Sequence, residues 1–194
     1  MNEIEPVRLR VSELYNWAGL ITLSRLPLAI CFPFLGDRPR LFLLVYVVAL
    51  VTDILDGVVA RRTGTTSHTG SVLDGWLDKV LHVNAAWTMV LRGWMPGPWL
   101  LLWFAREIIQ APMVIWLVPA FHRGEVKPHH ASLTGKVAAW LLGAAFISVL
   151  LAAALSMPAF RQLALALTIA TGVSGAAASL GYLRRELEER RGAR

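Results

Sequence analysis

Four carboxylates stand at helical spacing inside otherwise apolar sequence: Asp53 and Asp56, then Asp74 and Asp78. The first pair lies in Asp53-Ile-Leu-Asp56-Gly57-Val-Val-Ala60-Arg61. Eight residues later follows Gly70-Ser-Val-Leu-Asp74-Gly-Trp-Leu-Asp78. At about 100° per residue, Asp53, Asp56, Gly57 and Ala60 share one face of a helix. Asp74 and Asp78 share a face of the next helix, with Gly70 one turn before them. Two helices can thus turn four carboxylates towards a common point, with small residues leaving room beside them.

Such a cluster needs positive charge within it. An acidic residue in a membrane span costs roughly 2.5–3.5 kcal/mol, and neighbouring carboxylates repel. Divalent cations relieve both problems. No His or Cys joins the four, and all-oxygen ligation suits Mg²⁺ or Mn²⁺ rather than zinc. Mg²⁺ held by carboxylates commonly takes phosphate oxygens as its other ligands. The residues therefore point to a metal-dependent site for a phosphorylated or diphosphate substrate. Helix-to-helix glue and an ion or proton path are the other uses of intramembrane carboxylates.

The elements that must carry these groups read as membrane spans. The 194 residues suit a single domain, taken here as 1–194. At 56% hydrophobic, 16% charged and mean hydropathy +0.54, the chain is too apolar for an ordinary soluble fold. The expected fold class is an all-α integral membrane protein with six transmembrane helices near 17–35, 41–61, 70–91, 97–121, 134–156 and 160–183. Residues 1–15 space Ile4, Val7, Val11 and Leu14 as a short amphipathic interfacial helix would. Residues 184–194 form a basic tail. The lone cysteine, Cys31, cannot form an internal disulfide and reads as packing.

Charge orients the spans. Of the 19 basic residues, twelve fall on the side of both termini, four on the other side, and Arg25, Lys79 and Arg106 within spans. The basic side is cytoplasmic. Both termini and the aspartate cluster then face the cytoplasm from an inner or plasma membrane. The net charge of +6 is met by anionic headgroups and implies no nucleic acid.

Further polar residues lie where apolar ones belong. Thr22-Leu-Ser24-Arg25 interrupts the first span, and Arg25 must face the bundle interior and an anionic partner. Arg106 and Glu107 sit near the middle of the fourth. Arg123 and the Gly135-Lys136 pair belong to a second basic patch on the cytoplasmic side. His68 lies between the motif halves. His129 and His130 read as solvated loop histidines, and His82, one turn past Asp78, as a packed or supporting histidine.

The stretch matches Asp-x2-Asp-Gly-x2-Ala-Arg-x8-Gly-x3-Asp-x3-Asp at every fixed position, and in this it resembles the CDP-alcohol phosphatidyltransferases. The resemblance implies transfer of a phosphatidyl group from a CDP-linked lipid to an alcohol, with release of CMP, in phospholipid biosynthesis. It implies two metal ions on Asp53, Asp56, Asp74 and Asp78, with Asp78 also the general base. It places Thr22, Arg25, Gly57, Ala60, Arg61, Ser67 and Gly70 around the nucleotide and diphosphate of the donor, and suggests a homodimer. Arg106, Arg123 and Lys136 are the candidate acceptor-binding residues.

Glycerol 3-phosphate is the leading acceptor, because the chain is short and basic near Arg106 and Lys136. Inositol phosphate, inositol, serine and phosphatidylglycerol are the alternatives. Two departures stand out. Many glycerophosphate-transferring members read Asp-Pro-x-Ala-Asp-Lys where this chain has Asp74-Gly-Trp-Leu-Asp78-Lys79, and Gly19 replaces an Asn common three residues before the Thr. An intramembrane prenyltransferase generally has more spans and lacks the Asp-Gly-x2-Ala-Arg core. An ion or proton transporter would place its carboxylates nearer the bilayer midplane.

Overall fold

Proline and glycine decide where several of these helices begin and end. The computed structural model describes residues 26–35, 37–63, 68–112 and 133–192. Side chains are excepted at 56, 57, 59–63, 68–74, 186, 187 and 189–192. All regular structure among the described residues is helical: α1 (Leu26–Leu35, its last turn Phe32–Leu35 tightened to 3-10), α2 (Pro39–Thr63), α3 (His68–Leu91), α4 (Trp99–Trp103), α5 (105–112), α6 (Leu133–Leu155) and α7 (Pro158–Gly192). Pro39 and Pro158 open α2 and α7 at the first helical position, where a missing N–H leaves no helical bond unmade. The interfacial helix expected over 1–15 lies outside the described residues.

Two compact units result, Met1–Met95 and Pro96–Arg194. In the first, α3 ends in a Schellman turn. Gly93, at φ 70°, donates its N–H to Val90 O at 2.9 Å, and Trp94 donates to Met89 O at 3.0 Å. Glycine takes that left-handed backbone without a Cβ penalty. The turn sets the Trp94 ring edge-on to Phe42 at 5.3 Å, and Phe42 stacks on Phe32 at 4.5 Å. This aromatic ladder joins the ends of α1, α2 and α3. The Asn84 amide donates to Ala29 O at 2.6 Å, and Arg92 binds both Asp37 and Pro33 O at 3.2 Å. Along α3, Leu77, Leu81, Ala85 and Met89 are buried while Trp76, Val80, Val83 and Trp87 are exposed, an apolar core face backed by an equally apolar outer face.

In the second unit α6 and α7 pack along their lengths. The link between them is Ser156-Met157, with Ser156 at φ 54° donating to Ala152 O at 3.0 Å. That is a left-handed helix end made by serine instead of the usual glycine. Buried Trp103 donates its indole N–H to Thr168 Oγ1 at 2.9 Å and lies 4.2 Å from the Phe146 ring. Truncating such a residue costs about 3–5 kcal/mol.

The expected spans at 41–61, 70–91 and 134–156 coincide with α2, α3 and α6 within about two residues, the usual uncertainty of helix ends. One expectation is corrected. The single helix expected over 97–121 is broken at Phe104 (φ −105°, ψ 17°). Neither proline nor glycine stands at the break, so hydrophobic pattern gave no sign of it. α7 runs on to Gly192, so its last residues include most of the expected basic tail. Among the described residues, two helices are long and apolar enough to cross a membrane, Leu133–Leu155 and Pro158–Arg185.

Candidate active site

In unit one, two ring contacts relate α2 to α3 and the turn after it. As residue number rises along α2 from Phe42 to Tyr46, its partner falls from Trp94, just past α3, to His82. Tyr46 lies seven residues before Asp53, two turns along the same helix face. His82 lies four residues after Asp78. The Tyr46 and His82 rings meet edge-on, 6.0 Å between centroids and 87° between planes. Tyr46 is fully buried and His82 nearly so.

His82 holds the last carboxylate of the motif. Its Nδ1 lies 3.1 Å from Asp78 Oδ1 and 2.8 Å from the Asp78 carbonyl oxygen. Both are acceptors, so Nδ1 carries the hydrogen and donates. The field of Asp53, from α2, acts on the same imidazole, and that of Asp78 also reaches Tyr46. Asp53 is half-buried; Asp78 keeps about half of its side chain exposed. Asp78 is held at His82 by direct contact, whereas Asp53 acts on that ring only through its charge. Oxygen donors from two helices, one of them open to the outside, fit a hard divalent cation.

The rest of the expected metal set is only partly in view. The side chains of Asp56 and Asp74 are not among the described ones, although α2 and α3 carry their backbones. Among the described residues no three His, Cys, Asp or Glu side chains cluster as a metal site. Of the expected donor-binding residues, Thr22, Arg25 and Ser67 lie outside the described residues, as do the side-chain surroundings of Gly57, Ala60, Arg61 and Gly70. Arg123 also lies outside them.

Unit two holds the other described candidates. Gly175 of α7 lies so close to α5 that a Cβ there would stand 3.3 Å from Arg106 Cβ and 3.4 Å from Arg106 N. One turn before it, a Cβ on Gly172 would meet Leu102 Cδ2 at 2.8 Å. The Ser179 hydroxyl lies 3.3 Å from Arg106 O and 2.9 Å from Gly175 O. The half-buried Arg106 guanidinium reaches Gly135 O at 3.5 Å, a long contact, beside exposed Lys136. Arg106 and the Gly135-Lys136 pair, read separately in the sequence, are thus neighbours. Lys79 instead lies out on α3, 5.8 Å from the Trp76 ring centroid.

Sequence reasoning passed over Tyr46, Gly172 and Gly175. Tyr46 could have been found: it is the one polar-tipped ring in the apolar run before Asp53 and shares its face. The glycines showed no such sign, because a helical glycine reveals a close approach only once its neighbour is known.

Comparison with known proteins agrees with the motif. A family model for CDP-alcohol phosphatidyltransferase matches residues 15–174. A CDP-diacylglycerol–glycerol-3-phosphate 3-phosphatidyltransferase of Pectobacterium atrosepticum is 35% identical over 133 residues, 63% of this chain and 70% of that protein. Its namesake in Salmonella choleraesuis is 32% identical over 148 residues, covering 66% and 77%. A cardiolipin synthase (CMP-forming) of Streptomyces coelicolor is 27% identical over 161 residues, covering 77% and 71%. With the motif complete and residues 15–174 matched by the family model, this protein belongs to the CDP-alcohol phosphatidyltransferase family.

Proposed function

We propose that the chain transfers the phosphatidyl group of CDP-diacylglycerol to glycerol 3-phosphate and releases CMP. The observation that carries this assignment is Asp78, the last carboxylate of a complete motif, held 3.1 Å from His82 Nδ1. The acceptor hydroxyl attacks the β-phosphorus, the bond from that phosphorus to the oxygen bridging to the α-phosphate breaks, and CMP leaves with the bonding electrons. Asp78, half-exposed at the motif's end, takes the hydroxyl proton. Asp53, Asp56, Asp74 and Asp78 would hold two Mg²⁺ or Mn²⁺ ions, which supply the charge neutralisation a diphosphate needs to react. Gly57, Ala60 and Gly70 leave room for the donor, with Thr22, Arg25, Arg61 and Ser67 around it. Arg106, Lys136 and Arg123 bind the acceptor phosphate; two relatives named for glycerol 3-phosphate support this choice.

The setting we infer is a bilayer crossed six times, with both termini and the aspartates on the cytoplasmic side. Its support is the basic-residue asymmetry, the two long apolar helices and the apolar outer face of α3. Large exposed apolar faces are rare on soluble monomers.

A second acceptor has its own support. Phosphatidylglycerol would make the protein a relative in activity as well as sequence of the Streptomyces cardiolipin synthase, whose match covers more of this chain. The Gly-Trp-Leu between Asp74 and Asp78 also departs from the common glycerophosphate pattern. One assay separates the two: purified protein, CDP-diacylglycerol and Mg²⁺ or Mn²⁺, with each acceptor in turn, reading CMP and the lipid product. CMP release with glycerol 3-phosphate is expected; release with phosphatidylglycerol alone would replace the acceptor, and release with no alcohol would overturn the assignment.

A further inference from the structure

We propose that His82 is the positioning residue of this site: its Nδ1–H holds the Asp78 carboxylate in the orientation that meets cation and acceptor. This rests on the phosphatidyl-transfer reading of Asp78. A carboxylate half open to its surroundings has freedom about two side-chain torsions, and a base that wanders spends little time aligned. Here one donor is shared between Asp78 Oδ1 at 3.1 Å and the carbonyl of the same residue at 2.8 Å. The bond to the backbone oxygen fixes the imidazole against its own helix, so the ring cannot follow the carboxylate. Edge-on Tyr46 stops it from the other side, 6.0 Å away on α2. Both rings are buried. Ring, helix and carboxylate therefore form one rigid unit on α3.

Partners that orient a ligating carboxylate typically change metal affinity or activity about 10–100-fold when removed. The experiment compares His82→Asn, His82→Gln and His82→Leu in the full chain in nanodiscs. Asn places an amide N–H where Nδ1 stands, and Gln places it where Nε2 stands. Two quantities are read: kcat for CMP release, and Mn²⁺ affinity by electron paramagnetic resonance. Gln and Leu should each lower kcat about 10–100-fold with the donor KM little changed, and weaken Mn²⁺ binding, while Asn keeps most of both. A double-mutant cycle adds a readout that a packing role would not move. On an Asp78→Asn background, His82→Leu should cost almost nothing further in Mn²⁺ affinity.

Equal behaviour of Asn and Gln overturns the proposal, and so does a full additive loss on Asp78→Asn. If the Leu variant fails to fold, the Asn–Gln contrast decides alone. An inactive wild type would sink the phosphatidyl-transfer reading, and the Mn²⁺ contrast would still decide the role of His82.

Discussion

Nδ1 of His82 lies 3.1 Å from Oδ1 of Asp78, one helical turn earlier on α3. The last carboxylate of the motif is therefore held from within its own helix. Asp53, on α2, is not placed by that bond. This difference separates the two aspartates experimentally. Asp78→Asn keeps the shape and removes the proton acceptor, so turnover should fall by about 10²–10⁴-fold while donor binding survives. Asp53→Asn removes a proposed metal ligand and should weaken donor and cation binding together. Calorimetry with CDP-diacylglycerol and Mn²⁺, beside the CMP assay, checks both. Equal loss of donor binding in the two variants would make Asp78 mainly a ligand.

Chelation should abolish CMP release, and Mg²⁺ or Mn²⁺ should restore it, because the expected ligands are all oxygens. Turnover that persists in excess EDTA would remove the cations from the site.

Gly175→Ala tests the placement of Arg106. The added methyl meets Arg106 Cβ at 3.3 Å and its backbone N at 3.4 Å, and backbone gives way less readily than a side-chain tip. Overpacking of this kind costs about 1–3 kcal/mol, and it would push α5 off α7 and Arg106 away from Gly135. The expected result is a several-fold rise in KM for glycerol 3-phosphate, with the donor KM unchanged. An unchanged acceptor KM would detach Arg106 from acceptor binding.

The two left-handed helix ends predict opposite signs. A Cβ at Gly93 meets nothing within 4 Å, so Gly93→Ala carries backbone strain alone, about 1–2 kcal/mol. Ser156 already bears that strain at φ 54°. Ser156→Gly relieves it and should be stabilising, by less than the same amount because glycine is freer in the unfolded chain. Thermal unfolding in detergent should show the Gly93 variant melting lower than wild type and the Ser156 variant higher.

Topology can be mapped by cysteine labelling from a Cys31→Ser background. A cysteine placed at His68 should react only from the cytoplasmic side. Labelling from outside would invert the orientation and remove the nucleotide lipid's route to the aspartates.

Much of this was legible because membrane helices announce themselves by length. Apolar runs bounded by Gly93, Pro39 and Pro158 marked α2, α3, α6 and the start of α7, and the spacing of Asp53 and Asp78 marked the site. What sequence left unseen depends on contacts between distant residues. The bend at Phe104 carries no helix-breaking residue, and Gly172 and Gly175 are notches only because Leu102 and Arg106 fill them. His82 was visible as a neighbour of Asp78 by its spacing. Its hold on the carboxylate was not, since spacing puts both on one face without saying which atoms of the ring and carboxylate meet.

The short link at Ser156-Met157 has a consequence at the opposite end of the bundle. Because α6 and α7 leave the same turn, they start level, and α6 ends after 23 residues while α7 continues for 35. At about 1.5 Å per residue, Leu133 stands level with the region around Ser179, which is why Ser179, Arg106 and Gly135 share one layer. Beyond that layer α7 runs on past the end of α6 for roughly 18 Å. If Arg106 and Lys136 bind the acceptor as proposed, this overhang of α7 extends past the same end of the α6–α7 pair that carries them.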